Sequence, residues 1–179
     1  MTNAMVFAVI GPDRPGLVGR LAATVAEHDG NWLESRMGVL GGQFAGVVLA
    51  TLPEAKAEAL RGALMALEKE GLRVMVEAAP GAAAPRAWRL ARLELFGQDH
   101  PGIVRDIAQA LSERAINIAE METEQSTGAM SAEAMFRLRA DIELPDDVPL
   151  DDLRAALEVL AGDLMVEVEL AETDSGDGR

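Results

Sequence analysis

The sequence predicts an α+β fold made of two ferredoxin-like βαββαβ units, each an antiparallel sheet with both helices on one face. Three observations predict it. The chain has 179 residues and is 49% apolar, which suits one ordinary domain or two small ones. The run Gly11-Pro12-Asp13-Arg14-Pro15-Gly16-Leu17-Val18 returns as Gly97-Gln98-Asp99-His100-Pro101-Gly102-Ile103-Val104, an offset of 86 residues. The same offset carries Leu21 to Ile107, Val25 to Leu111, Asn31 to Asn117 and Glu34 to Glu120.

Each copy repeats one order of elements. Met5 to Ile10 is an apolar strand. Leu17, Val18, Leu21, Ala22 and Val25 then share one face of a helix, which Gly30 closes. A second strand occupies Asn31 to Val39, Gly41-Gly42 turns the chain, and Phe44 to Thr51 is the third strand. Pro53 suits the first turn of a second helix, with Leu60, Ala63, Leu64 and Leu67 inward and Gly71 at its end; Leu72 to Ala78 is the fourth strand. In copy two the strands are Leu90–Phe96, Ile118–Thr123, Ala134–Ala140 and Met165–Leu170. The first helix turns Ile103, Val104, Ile107, Ala108 and Leu111 inward, and the second runs from Leu150 to about Ala161. The resulting division is 1–79 for the first unit, 80–87 for a small-residue linker, 88–171 for the second unit and 172–179 for a polar, disordered tail.

The sheet faces away from the helices differ. Copy two alternates Glu120, Glu122 and Glu124 along one strand and Arg137 and Arg139 along the next, which predicts cross-strand ion pairs on a solvated surface. Copy one is apolar on both sides in Met5–Ile10 and Val47–Ala50. Its open face is therefore expected to pack against another domain or a second chain.

Composition excludes several function classes. Sixteen Lys+Arg against 30 Asp+Glu leave a net charge of −14, an unfavourable balance for direct contact with nucleic acid. There is no Cys, hence no disulfide, thiolate zinc site or thiol nucleophile, and His28 and His100 are too few for a histidine metal site. The apolar run at Ala4–Ile10 lacks a preceding basic residue and leads into Gly11-Pro12-Asp13, unlike a signal peptide; no stretch approaches a membrane span. A cytoplasmic protein without cofactor or metal is the expectation.

The Gly-x-Asp-x-Pro-Gly loop is the candidate for function. Gly11 and Gly97 permit a turn, Asp13 and Asp99 can cap helix amides, and Pro15 and Pro101 fit a first helical turn. Gly16 and Gly102 leave room for a close approach. The result is a helix start with unshielded amides, suited to a carboxylate or phosphate, or simply a tight strand-to-helix turn. His100 beside Asp99 is a weak candidate for a general base, because copy one has Arg14 there and no nucleophile accompanies it. His28 reads as a partner for a helix C-terminus. Asp146-Asp147 and Asp151-Asp152 read as a helix-starting acidic run rather than a cation site, and Trp32 as core packing or a pocket wall.

Asp13-Arg14-Pro15-Gly16-Leu17-Val18 followed by Gly30-Asn31, and Asp99-His100-Pro101-Gly102-Ile103-Val104 followed by Ile116-Asn117, resemble the signature of the ACT domain. The two copies cover nearly the whole chain, and that architecture resembles the glycine cleavage system transcriptional repressor family. The resemblance implies a βαββαβ fold and an amino-acid ligand, with glycine one candidate. The site it implies lies where the first loop of one domain meets strand two of its neighbour. Carried over, the ligand-binding residues are Asp13, Arg14, Pro15, Gly16, Leu17 and Asn31, with Asp99, His100, Pro101, Gly102, Ile103 and Asn117 in copy two. The two sites need not be equivalent. It further implies a homo-oligomeric regulator of amino-acid metabolism that is not an enzyme and acts through a protein partner; the net charge and the lack of a span add that it touches neither nucleic acid nor membrane. The alternatives are a regulatory subunit of an amino-acid biosynthetic enzyme and a ligand-free oligomerisation module.

Overall fold

The structure is a computed structural model that describes residues 2–79, 88–127 and 133–173. It divides into two compact units between residues 83 and 84. Unit one comprises β1 (Thr2–Pro12), α1 (Leu17–Ala26), β2 (Asn31–Leu40), β3 (Gln43–Pro53), α2 (Ala57–Ala66) and β4 (Arg73–Ala78). Unit two comprises β5 (Trp88–Gln98), α3 (Ile103–Ser112), β6 (Asn117–Thr127), β7 (Ala134–Pro145), α4 (Leu150–Leu164) and β8 (Val166–Glu172). The sheets have strand orders β2-β3-β1-β4 and β6-β7-β5-β8, antiparallel throughout. The predicted α+β class is the observed one. The expected linker at 80–87 lies outside the described residues. β8 runs through Glu172, and the amide of Thr173 donates to Leu90 O at 3.0 Å, so ordered backbone reaches past the expected boundary at 171.

The helices of each unit cover one sheet face. In unit one the core is built on Met5, Phe7 and Val9 of β1, Val48, Ala50 and Leu52 of β3, and Leu17, Leu21, Leu60 and Leu64 of the helices. Burying one such Leu stabilises the unit by about 1.5–3 kcal/mol. Phe7 meets Trp32 edge to face, with centroids 6.2 Å apart. Trp32 therefore packs on this core. The helix stripe differs from the sequence reading at two positions in each copy. Val18 is 48% exposed and Ala22 is exposed, while Thr24 takes an inward place, so the buried set is Leu17, Leu21, Thr24 and Val25. Thr24 is tolerated there because its hydroxyl donates to Arg20 O at 2.9 Å. Val104 and Ala108 are likewise off the buried stripe of α3, which consists of Ile103, Ile107 and Leu111.

Helix ends are finished alike in both copies. Asp29 and Ala115 take the left-handed conformation, at φ 56° and 55°. Gly30 does not end the helix by its φ, as expected from sequence. It is needed because a Cβ would stand 2.7 Å from Val25 Cγ1. The His28 ring lies 2.8 Å from Thr24 O through Nδ1 and donates to it, and Arg114 Nη1 donates to Ala110 O at 2.9 Å. Each base thereby satisfies a carbonyl near the C-terminus of its helix. The acidic run before α4 supplies no cap: Pro149 is the N-cap, and only Asp151 and Asp152 lie in the first turn.

Candidate functional site

The repeated loop joins β1 to α1 and β5 to α3. Gly16 stands at φ 92°, ψ −2° and Gly102 at φ 108°, ψ −13°, the left-handed values of the third residue of a type II turn that Pro15 and Pro101 precede. The prolines thus lie before the helices, not in their first turns. Neither helix start has a side-chain cap, so Asp13 and Asp99 do not cap as expected. The first helical bonds run from Arg20 N to Gly16 O and from Asp106 N to Gly102 O. The amides of Leu17, Val18 and Gly19 precede that ladder, as do those of Ile103, Val104 and Arg105. The side chains of Leu17 and Ile103 are in the cores, so these residues can offer a ligand only backbone.

Gly11 and Gly97 do not make a turn either. They end their strands, and a Cβ on Gly11 would lie 2.5 Å from Gly71 O; on Gly97 it would lie 2.7 Å from Val166 Cα. The absence of a side chain lets the second helix–strand turn approach the loop. Across that contact Arg14 donates to Glu70 O, and His100 Nε2 lies 3.0 Å from Leu164 O. Each of those carbonyls immediately precedes a left-handed residue: Gly71 after the 3-10 turn Leu67–Glu70 that extends α2, or Met165 at the end of α4. Arg14 and His100 are equivalent clamps between loop and helix end. That position explains why Arg and His interchange there, since each can donate to a carbonyl.

The two sites differ. Nothing lies within 4 Å of a Cβ built on Gly16. On Gly102 the same atom meets Arg105 Nη2 at 3.0 Å and Asp106 Oδ2 at 3.5 Å. Arg105 and Asp106 are bonded to each other at 2.7 Å, and that bond lowers the Asp106 carboxyl below its ordinary value. Copy one has Gly19 and Arg20 at these positions. Arg20 pairs with Glu70 at 3.0 Å, which raises the guanidinium and lowers the carboxyl from their ordinary values. A carboxylate therefore sits in the first turn of α3, and a guanidinium in that of α1. Each of these charges is met by an opposite one, so the loops differ chiefly in that the first is the more open.

Sequence reasoning missed the third wall of the loop, the hairpin end between strands two and three. The amide of Asp13 donates to Gly42 O at 3.0 Å, the amide of Asp99 to Ala134 O at 2.8 Å, and Gln125 Nε2 to the Asp99 carboxylate. The signal was present in Gly41-Gly42. Both residues have positive φ, so Leu40 pairs with Gln43 directly and the turn ends level with Pro12.

Asn31 and Asn117 are not brought to their own loops. Asn31 pairs with Thr51, and Thr51 with Ala4, at the far end of the sheet from Pro12. Eight residue steps along β1 separate Ala4 from Pro12, roughly 26 Å at ~3.3 Å per step. Asn117 Nδ2 donates to Glu143 Oε2 at 2.8 Å. Loop and asparagine can share a ligand only across a seam between units or copies. Two surface hollows of unit two, of about 220 Å³ and 370 Å³, contain no loop residue in their linings.

Known sequence patterns decide the family. The ACT-domain pattern matches residues 3–77 and, in a second form, residues 91–162. This chain is a tandem ACT-domain protein. ACT domains typically bind small-molecule amino acids and are regulatory in character. A UPF0237 protein of Methanopyrus kandleri is 46% identical to this tandem ACT chain over 55 residues, 31% of the chain; the chain spans 60% of that relative's length. A crystal structure of a Galdieria sulphuraria protein of unknown function superposes with a TM-score of 0.86 at 27% identity, over 97% of this chain and 99% of that one. A protein described as a candidate glycine cleavage system transcriptional repressor gives a TM-score of 0.72 at 20% identity, over 97% and 98%; that likeness is one of fold. Among the described residues no cluster of three or more His, Cys, Asp or Glu is placed to hold a metal, and no helix is long and apolar enough to cross a membrane.

Proposed function

We propose that this tandem ACT protein is an amino-acid sensor whose principal site is the β1–α1 loop. The ligand carboxylate takes the amides of Leu17, Val18 and Gly19. Its ammonium takes oxygens of Asn31 brought by a neighbouring unit or copy, with Asp13 on the loop side. Binding favours one arrangement of units and so changes the affinity for a protein partner. That partner is a transcription factor governing amino-acid metabolism, with glycine the first ligand to try. The observation that carries the reading is the uncapped start of α1 at Gly16, with no atom over it. The net charge of −14 favours action through a partner over contact with DNA.

A thermal-shift screen of the common amino acids tests it. A ligand at 100 times its dissociation constant adds about 2.7 kcal/mol. A shift is expected with at least one amino acid, and it disappears in Gly16→Val. No shift with any of them leaves an assembly module in place of a sensor. Affinity capture with the screened ligand present separates a transcription-factor partner from an enzyme. A sequence-dependent electrophoretic shift by this protein alone contradicts action through a partner.

A further inference from the structure

The sheet face of unit one that turns away from its helices is apolar along its centre. In register across β4, β1 and β3 lie Met75, Ala8 and Val47, with Ile10 in the row on one side and Val6 and Leu49 in the row on the other. Met75 is 71% exposed, Val47 48% and Ile10 39%. The corresponding face of unit two has a different character. Glu94, Glu120, Glu122, Glu124, Asp141, Glu167 and Glu169 share it with Arg92, Arg137 and Arg139. An excess of carboxylates makes that face self-repelling, and burying it against an apolar stripe would strip them of water at high cost.

We propose that the open face of unit one seats the same face of a second copy of this chain, sheet on sheet, about a two-fold axis. The charges at its margins select this occupant. On β4, Arg73 lies in the Ile10 row and Glu77 in the Val6 row, with Met75 between them. A two-fold axis running across the strands at the Ala8 row exchanges these rows. It sets Arg73 of each copy over Glu77 of the other and Met75 on Met75. On β2, Arg36 lies in the axial row and is already paired with its own Glu34 at 3.6 Å. The axis also sets Arg36 near its counterpart in the other copy, each carrying Glu34 as counter-charge. The β4 margin is electrically self-complementary, and stacked sheets need only their usual separation of about 10 Å. No loop residue lies on it, so the inference stands apart from the ligand reading.

Sedimentation velocity of the full chain across a micromolar range tests it. The chain sediments as a dimer. Val47→Glu and Met75→Glu each raise the dissociation constant at least about tenfold, with circular dichroism unchanged. Arg73→Glu weakens the dimer, and adding Glu77→Arg restores it, because the swap preserves the pairing. Glu122→Gln, on the face of unit two, leaves the constant alone. A monomeric wild-type chain overturns the proposal. So does a dimer indifferent to Val47→Glu and Met75→Glu, which would place the interface on a strand edge. Loss of the dimer in Arg73→Glu without recovery on the swap overturns the two-fold arrangement.

Discussion

At the scale of single residues, glycines with different reasons for being glycine separate cleanly. Gly11 faces backbone, with Gly71 O 2.5 Å from a Cβ, so Gly11→Ala must push the turn after α2 away. Overpacking of this kind costs about 1–3 kcal/mol. The melting temperature of unit one should fall by at least about 4 °C. Gly62 lies inside α2 with nothing within 4 Å, so Gly62→Ala should stabilise by about 0.5–1 kcal/mol through helix propensity alone. The two mutants shifting in the same direction would refute this division. Sequence alone marked Gly11 and Gly16 as special but gave Gly11 a turn and Gly16 room for a close approach. The actual reason at Gly11, a carbonyl from a segment sixty residues away, has no local signature. The left-handed angle at Gly16 does have one, in the preceding proline.

The elements were readable to the extent that their pattern was local. Strands and helices fall where apolar spacing and glycine punctuation place them, except that Pro53 closes β3 instead of opening the second helix, and α2 starts at Ala57. The errors lie on α1 and α3, where Val18, Ala22, Val104 and Ala108 looked inward. A run of small and β-branched apolar residues fits more than one helical face, and only the sheet beneath chooses between them. Leu21, fully buried, is the anchor of α1; Leu21→Ala should cost about 2–5 kcal/mol, while Val18→Ala should cost far less. Equal losses would mean the helix face is misassigned. The pair Arg20–Glu70 ties α1 to the end of α2 and makes a pH prediction. The folded-state value of the Glu70 carboxyl is lowered, so its contribution is fully present above the ordinary carboxylate value near 4.5. It is lost as the pH falls through the folded value. The melting-temperature gap between wild type and Glu70→Gln should therefore hold from neutral pH down to that range and close below it. A gap that persists at acid pH would assign the effect to packing.

On the scale of the whole molecule, duplication has produced two units that share a skeleton and differ in what they expose. The skeleton extends to small devices. Both copies carry a register shift early in strand two, between Trp32 and Glu34 and between Ile118 and Glu120. Both also hold the loop to the second helix end through a cationic or imidazole side chain. The open faces diverge, one apolar and one charged. In unit two Arg92 bonds Asp141 at 2.9 Å, and Arg137 stacks 5.3 Å from the Phe96 ring centroid. The alternation of Glu and Arg does set Glu122 opposite Arg139 and Glu124 opposite Arg137, but these two contacts join other partners than the ones it predicts. The candidate site was readable as a loop, but the wall beside it was not, because that wall comes from the hairpin end between strands two and three, distant in sequence from the loop.

The most direct test of the sensor reading is a proton–nitrogen correlation spectrum of the full chain titrated with the amino acid that scores highest in the thermal screen. The account predicts the largest shifts at the amides of Leu17, Val18 and Gly19, with weaker changes at Ile103 and Val104. Saturating ligand that leaves those amides unmoved, while perturbing residues elsewhere, would contradict it.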